Sequence, residues 1–150
     1  MMTFLKKYYF VFFILGFIGI YIYNQQFKQK YRTLYKSQGF YAKSKVIGIK
    51  KFGRGGGYDI LYTFKVNGKE YKSVNSKGHI SYSQAQEYID KFFLVVYLNN
   101  DVHNNRLYTT IPIPENINED NLKKWVADNP NTKDKLDSIP PSGFFWQNYF

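Results

Sequence analysis

Histidine is the first residue type to consider for catalysis or metal binding in this chain. There are two, His79 and His103, and neither lies in a motif such as H-x-x-x-H or H-E-x-x-H. A tetrahedral zinc site would need further ligands beside them, and the sequence places no suitable carboxylate nearby and contains no cysteine. We therefore predict no metal site and no cofactor, and interpret both histidines as turn or surface residues.

Nucleophilic and acid–base chemistry has equally little support. No serine lies in a G-x-S-x-G motif. The acids of the C-terminal segment are typical of helix caps and solvated faces rather than of a paired acid and base. They are Glu115, Glu119, Asp120, Asp128, Asp134 and Asp137. We predict a protein that is not an enzyme and has no small-molecule substrate.

The glycine-rich run Gly53-Arg54-Gly55-Gly56-Gly57 invites comparison with a phosphate-binding loop. Such a loop needs Gly-Lys-Ser/Thr and a following helix, so that backbone amides and the helix dipole converge on the anion. Here the residues that follow have the alternation of a strand. The run therefore predicts a hairpin loop, with Arg54 at its tip as a candidate contact for a partner.

The stretch from Tyr8 to Tyr23 has no charged residue and is the most apolar part of the chain. As a helix it would be about 24 Å long, slightly shorter than a bilayer core is thick, with tyrosines at both interfaces. We predict a retained membrane anchor; the alternatives are a signal peptide, for which no small-x-small cleavage site follows, and a core helix. The predicted anchor residues are Tyr8, Phe12, Phe13, Ile14, Leu15, Phe17, Ile18, Ile20 and Ile22.

Basic residues flank the anchor on both sides. Lys6 and Lys7 precede it, and Lys28, Lys30, Arg32 and Lys36 follow it. The positive-inside rule slightly favours a cytoplasmic domain, and the side of the membrane stays open. Residues 24–37 have helical periodicity, which favours a basic helical stalk; the rival interpretation is an interfacial helix that binds anionic headgroups.

The periodicity changes from helix to strand after Gly39. Residues 40–52 are rich in β-branched and aromatic side chains, and residues 58–66 alternate between apolar and polar types. Asn67-Gly68 is a strong signal for a two-residue hairpin turn, after which residues 69–74 return as a third strand. These three segments predict an antiparallel meander.

A helix and two further strands complete the predicted domain. Ser81 and Gln84 resemble a capping box that opens a helix over residues 81–91. Residues 92–98 are apolar on both faces, which indicates a central strand, whereas 99–101 and 104–105 predict a turn before a last strand at 106–111. The predicted fold class is mainly β (α+β): a transmembrane helix, then a five-stranded OB-like or SH3-like barrel with one short helix.

The chain changes character after Ile111. Pro112 and Pro114 end the sheet, Asn118 can cap a helix that stops at Asn129-Pro130, and residues 131–139 resemble a polar linker. The aromatic tail has three open fates: packing on the barrel, lying at the membrane interface, or binding a partner. Its candidate contacts are Phe144, Phe145, Trp146, Tyr149 and Phe150. The predicted divisions are 1–38, 39–111 and 112–150.

The strand residues also resemble a known family. Tyr62-x-Phe64-x-Val66-x-Gly68-x-x-Tyr71, followed by Val96-Tyr97 and an Asn-rich element ending at Leu107, is similar to a family of bacterial membrane-anchored β-domains of unknown function. Val102 and Asn105 depart from the family pattern, which has proline and serine there. The resemblance implies an anchored small barrel and transfers no catalytic residue. Many members of the family have a second transmembrane segment, for which this sequence shows no candidate, so we predict a protein that spans the bacterial inner membrane once.

These observations favour a non-enzymatic membrane protein whose β-domain binds a protein partner, as an accessory subunit of an envelope complex or an immunity-type inhibitor. The anchor would raise the effective concentration of the domain at its partner. The net charge of +10 leaves an alternative, in which a tethered basic OB-like module binds nucleic acid or anionic lipid. Residues proposed for nucleic-acid binding are Tyr41, Lys43, Lys45, Tyr62, Lys65, Tyr71 and Lys72.

Overall fold

The computed structural model describes residues 2–52 and 57–137, except for the side chains of residues 2–7, 28, 30–32, 52, 79 and 137. A long helix, α1 (Met2–Gln38), precedes five strands, and two short helices follow them. The strands are β1 (Gly39–Phe52), β2 (Gly57–Val66), β3 (Lys69–His79), β4 (Phe92–Leu98) and β5 (Asp101–Pro112). The remaining helices are α2 (Tyr82–Gln86), α3 (Glu119–Asp128) and α4 (Pro130–Asp137).

The five strands form one antiparallel sheet in the order β3-β2-β1-β4-β5. The predicted meander of β1, β2 and β3 is confirmed. Its second turn is at Asn67 and Gly68, whose φ angles of 51° and 80° are the positive values that a type I′ turn needs. The sheet curls into a half-barrel, which brings β3 and β5 near each other at its two open edges.

The concave face of the half-barrel holds an aromatic-rich core. Phe64 lies between Tyr62 and Tyr71, with ring centroids 6.2 Å and 5.8 Å away. Tyr71, Tyr88 and Val102 pack around the core from its margins. The buried members are Ala42, Val46, Ile60, Tyr62, Phe64, Val66, Phe93, Val95, Tyr97 and Leu107. Alternate residues of β2 supply four of these side chains, because a strand presents every second residue to one face.

The convex face carries a second core, where the helices cover β4 and β5. Tyr35 of α1, Leu122 and Val126 of α3 pack there against strand residues. These strand and loop residues are Leu94, Val96, Leu98, Tyr108, Ile111 and Ile113. Since β4 contributes alternate residues to both cores, its prediction as a strand buried on both faces is confirmed.

Two sequence predictions about local structure were wrong, and a third was right except for its length. The short helix after Ser81 and its capping box are confirmed, but α2 ends at Gln86 instead of extending to Lys91. Asn104 and Asn105 do not form a turn; they lie within β5, which begins at Asp101. Residues 130–137 are helical rather than a linker, because Pro130 is acceptable in the first turn of a helix and Leu136 packs on the convex core.

Candidate functional site

The apolar half of α1 is exposed along its whole length. Every residue from Tyr8 to Tyr23 has an exposed side chain, and the segment Tyr8–Phe27 is long and apolar enough to cross a membrane. The segment is assigned as a possible membrane span from its length and composition, and a signal sequence near the N-terminus would have the same length and composition. The predicted anchor residues, Tyr8 and Phe12 to Ile22 among them, all lie on this surface. A helix exposed on every side is not a core helix.

The other end of α1 is fixed to the sheet. Tyr35 is buried in the convex core with Leu34 packed beside it, and Gly39 begins β1 without an intervening loop. A Cβ atom added to Gly39 would lie 2.7 Å from Cγ1 of Val96 and would also meet the backbone of Tyr35. The close approach of helix and strand therefore requires glycine at this junction.

A polar bridge closes the concave side of the half-barrel. The Tyr62 hydroxyl on β2 donates to Oδ1 of Asn105 on β5, inside the protein. Nδ2 of Asn105 donates to the carbonyls of Val102 and His103 at 2.9 and 3.0 Å, and the His103 ring meets the Tyr71 ring edge-on. Burial raises the pKa of Tyr62 to about 12, which keeps this hydroxyl a donor at ordinary pH.

Two more polar residues of β5 are buried. Asn104 is 2% exposed and donates from Nδ2 to the carboxylate of Asp101. Arg106 is 8% exposed. Asn104 was predicted to lie in a turn, because Asn104-Asn105 has the composition of one, and the burial of Arg106 in the last predicted strand has no local signal in the sequence. A separate cleft of about 150 Å³ on the convex side has neither residue in its lining, which consists of Tyr35, Lys36, Tyr41, Val96, Tyr108, Lys133 and Leu136.

A larger cleft, of about 410 Å³, separates the outer side of β1 and β2 from the segment before α3. Lys43 stands at its margin and donates from Nζ to the carbonyls of Pro114, Glu115 and Ile117 at 3.3, 2.6 and 3.1 Å. Its ammonium also lies 4.4 Å from the centroid of the Phe92 ring. All three donors of this ammonium are therefore used within the fold.

The residues proposed for nucleic-acid binding do not share one surface. Tyr62 and Tyr71 belong to the concave core, whereas Tyr41 packs on the convex core and burial raises its pKa. Lys43, Lys45 and Lys65 line the larger cleft on the opposite side of the sheet from Tyr62. Lys45 lies 3.0 Å from the carboxylate of Asp90. The geometry thus places two of the three proposed tyrosines, Tyr62 and Tyr71, on the opposite side of the sheet from the lysines that a single strand would need beside them.

Other predicted site residues are scattered or lie outside the description. His103 is exposed on β5, and His79 ends β3. Among the described residues, no group of three or more His, Cys, Asp and Glu side chains could hold a metal ion. The candidate contacts Arg54, Phe144, Phe145, Trp146, Tyr149 and Phe150 lie outside the described residues.

Comparison with known proteins gives no relative. No protein family, no curated protein and no solved structure matches the chain. The chemistry available to the described surfaces therefore has to follow from their geometry.

Proposed function

We propose that the chain is a non-enzymatic, single-pass membrane protein whose β-domain binds a protein partner, as an accessory subunit of a bacterial envelope complex. The observation that carries this proposal is the continuity of α1. Its apolar segment is exposed on all sides, yet the same helix ends in the convex core at Tyr35. One helix thus serves as a membrane-spanning segment and as a packed element of the domain.

Such a helix would hold the domain at a fixed distance from the bilayer. Residues 28–38 extend α1 by roughly 16 Å beyond the candidate span before the first strand begins. A rigid mount restricts the domain to a narrow layer above the membrane and limits its orientations, which raises its effective concentration toward a partner in the same membrane. This arrangement suits a subunit that docks beside its partner.

The strand order supports an OB-like barrel over an SH3-like one. An OB-fold closes its strands in the cyclic order β1-β2-β3-β5-β4, with a helix between the third and fourth strands. The observed order β3-β2-β1-β4-β5 is that cycle opened between β3 and β5, and α2 lies between β3 and β4. We propose that relationship for the fold and no nucleic-acid function from it, because Tyr62 and Tyr71 belong to the concave core and the proposed lysines lie on the other side of the sheet.

One observation favours anionic lipid as a second ligand. The helix continues without a break through Lys28, Lys30, Arg32 and Lys36, all within about 14 Å of the end of the candidate span. Each basic residue near an anionic surface contributes about 1 kcal/mol of attraction. Lipid contact by this segment would add to partner binding rather than replace it.

The test begins with membrane insertion. We expect the full-length protein to stay in the membrane fraction after carbonate extraction, whereas F17R, which places a charge at the centre of the span, should release a large part of it. The matched control is Q29R, on the exposed stalk. Cleavage after the apolar segment, seen as a shorter mature protein, would contradict a retained anchor.

Partner binding is tested on the intact protein purified in mild detergent. Mass spectrometry and light scattering should find a protein partner at fixed stoichiometry, and the complex should survive moderate salt. A form of the protein that ends at Ser142 would show whether the aromatic tail is needed for this binding. Material that contains only lipid or nucleic acid and loses it as salt rises would overturn the proposal.

A further inference from the structure

One polar side chain near the end of the candidate membrane span is buried. Asn24 of α1 is 3% exposed, whereas its neighbours Tyr23 and Gln25 are exposed, and so is Ile20 about one turn nearer the N-terminus. Phe27, about one turn in the other direction, is half-buried. The structure contains a single chain, so the atoms that cover Asn24 belong to the chain itself.

The contacts of α1 with the convex core lie further along the helix. They are made by Leu34 and Tyr35. Tyr35 is about 16 Å from Asn24 along the helix axis, or about three turns, so the two side chains project from the same face of α1. On the other side of the helix, Gln25 and Gln29 are exposed. Burial therefore recurs on one face of α1, first at the domain and again at the end of the span.

The segment that follows α4 starts beside this face. Leu136 belongs to the convex core with Tyr35, both line the smaller cleft, and α4 ends at Asp137. An extended chain covers about 3.3 Å per residue, so residues 138–143 can span about 20 Å. That length is enough to bring the aromatic residues from position 144 onward to the level of Asn24.

Two other short parts of the chain also lie outside the described residues, and their positions fit less well. Met1 is about 34 Å from Asn24 along the helix. Residues 53–56 follow the end of β1 that is opposite to Gly39, where α1 joins the sheet. Residues 138–150 are therefore the segment whose starting point and length both fit the covered face.

The composition of residues 138–150 also suits a cover over this face. None of the side chains is charged, and Pro140-Pro141 favours an extended chain. The rings at positions 144–146 supply apolar surface for the helix. A buried side-chain amide is ordinarily hydrogen-bonded, and the amides of Gln147 and Asn148 could bond with that of Asn24.

We infer that residues 138–150 fold back along α1 and cover Asn24, with the rings of Phe144, Phe145 and Trp146 against the helix. The helix is then held to the domain at two levels, Tyr35 and Asn24, and this fixes its direction. The contact is intramolecular and does not rest on the proposed partner. Its level in the bilayer rests on the proposed membrane span, at whose end tryptophan and tyrosine rings favour the interface.

Cysteine labelling tests the cover, because the chain contains no cysteine of its own. N24C and Q25C are made in the full-length protein, and the rate of maleimide labelling is measured in mild detergent. Q25C is the matched control, since it lies at the same depth on the exposed side of the helix. We expect N24C to react roughly tenfold or more slowly than Q25C, because a covered group reacts only when its cover opens.

Substitution of the rings should remove this protection. In full-length protein that also carries F144S, F145S and W146S, the labelling rate of N24C should rise to about that of Q25C, whose own rate should stay the same. Equal rates for N24C and Q25C without the serine substitutions would overturn the inference. No effect of the serine substitutions on N24C would overturn it too.

A second test leaves Asn24 unchanged, so it holds even if N24C does not fold. Trp146 is replaced by the photo-cross-linker p-benzoylphenylalanine, and the illuminated protein is analysed by mass spectrometry. We expect an intramolecular cross-link to residues 20–31 of α1. The same replacement at Trp125 of α3, which packs on the convex core, is the control and should not link to that segment. Cross-links from position 146 only to lipid, to another protein or to the sheet would overturn the inference.

The level of the rings in the bilayer is measured separately. W125F leaves Trp146 as the single tryptophan of the chain. In lipid vesicles, its fluorescence should be quenched more by lipids brominated near the headgroup than by lipids brominated near the end of the acyl chain. Protection of N24C without any quenching would support the contact with α1 and contradict the proposed membrane span, so the two failures are distinguishable.

Discussion

The Tyr62 hydroxyl on β2 and the Asn105 side-chain carbonyl on β5 are joined by a hydrogen bond between strands that are not neighbours in the sheet. Asn105 also donates to two carbonyls of its own strand, so its amide is fully used. The bond thus spans the concave side and links the edge strand β5 to β2, the neighbour of the other edge strand, β3. It is buried, which makes the loss of either partner costly.

Removing this hydroxyl should destabilise the domain. In Y62F the ring still fills the core, but Oδ1 of Asn105 becomes a buried acceptor without its donor. We expect the free energy of unfolding to fall by about 1–3 kcal/mol, measured by chemical denaturation of the full-length protein in detergent.

Y71F is the matched control for Y62F. Tyr71 stacks on the same Phe64 ring, and its hydroxyl makes no hydrogen bond with any residue that the structure describes. The free energy of unfolding of Y71F should differ from that of the unmodified protein by no more than about 0.5 kcal/mol. Equal losses in Y62F and Y71F would show that the bridge contributes nothing specific.

Ionisation of the Tyr62 hydroxyl should make the protein less stable at high pH. Burial raises the pKa of Tyr62 from 10.0 to about 12, while Ser73 and Arg106 act in the opposite direction. Between these values the unfolded chain releases a proton that the folded chain keeps, so stability falls as pH rises by up to about 1.4 kcal/mol per pH unit. Below pH 10 this contribution is fully present. The difference in unfolding free energy between the unmodified protein and Y62F should therefore shrink from pH 10 to 12; a constant difference would contradict the raised pKa.

Local patterns predicted most of the architecture. The alternation from Tyr58 to Val66 gives β2, and Asn67-Gly68 gives its turn, because both signals depend on neighbouring residues only. The apolar run of β4 likewise predicted that this strand is buried on two faces. The pairing of the strands could not be predicted from local patterns, because β1 pairs with β4 through residues that are far apart in the sequence.

The polar residues of β5 show why the candidate site could not be predicted. Asn104 and Asn105 favour turns by intrinsic preference, and burial of both side chains together with the tertiary bond from Tyr62 to Asn105 overrides that preference. The burial of Arg106 depends on a core assembled from distant elements. Such a residue has no local signature, because an exposed arginine and a buried one occupy the same pattern.

The glycine at the junction of α1 and β1 is expected to be essential. In G39A the new Cβ would lie 2.7 Å from Val96 Cγ1, so the helix or the strand must shift. We expect the free energy of unfolding to fall by about 1–3 kcal/mol, with faster proteolysis between residues 36 and 40. G48A is the control, because its Cβ would be 3.9 Å from Leu61 Cδ1, an ordinary contact. Equal stability of both variants would mean that helix and sheet are not held together at Gly39.

Lys43 attaches the C-terminal helices to the sheet. Its ammonium joins β1 to three carbonyls between Pro114 and Ile117, the segment that leads into α3. K43M retains the aliphatic stem over Phe92 but removes these bonds, so the free energy of unfolding should fall by about 1–2 kcal/mol. Hydrogen exchange should also become faster at the amides of residues 117–121, because the start of α3 loses its support. K65M, an exposed lysine on β2 that lines the same cleft, should change neither quantity, and equal exchange in both variants would show that Lys43 does not hold this segment.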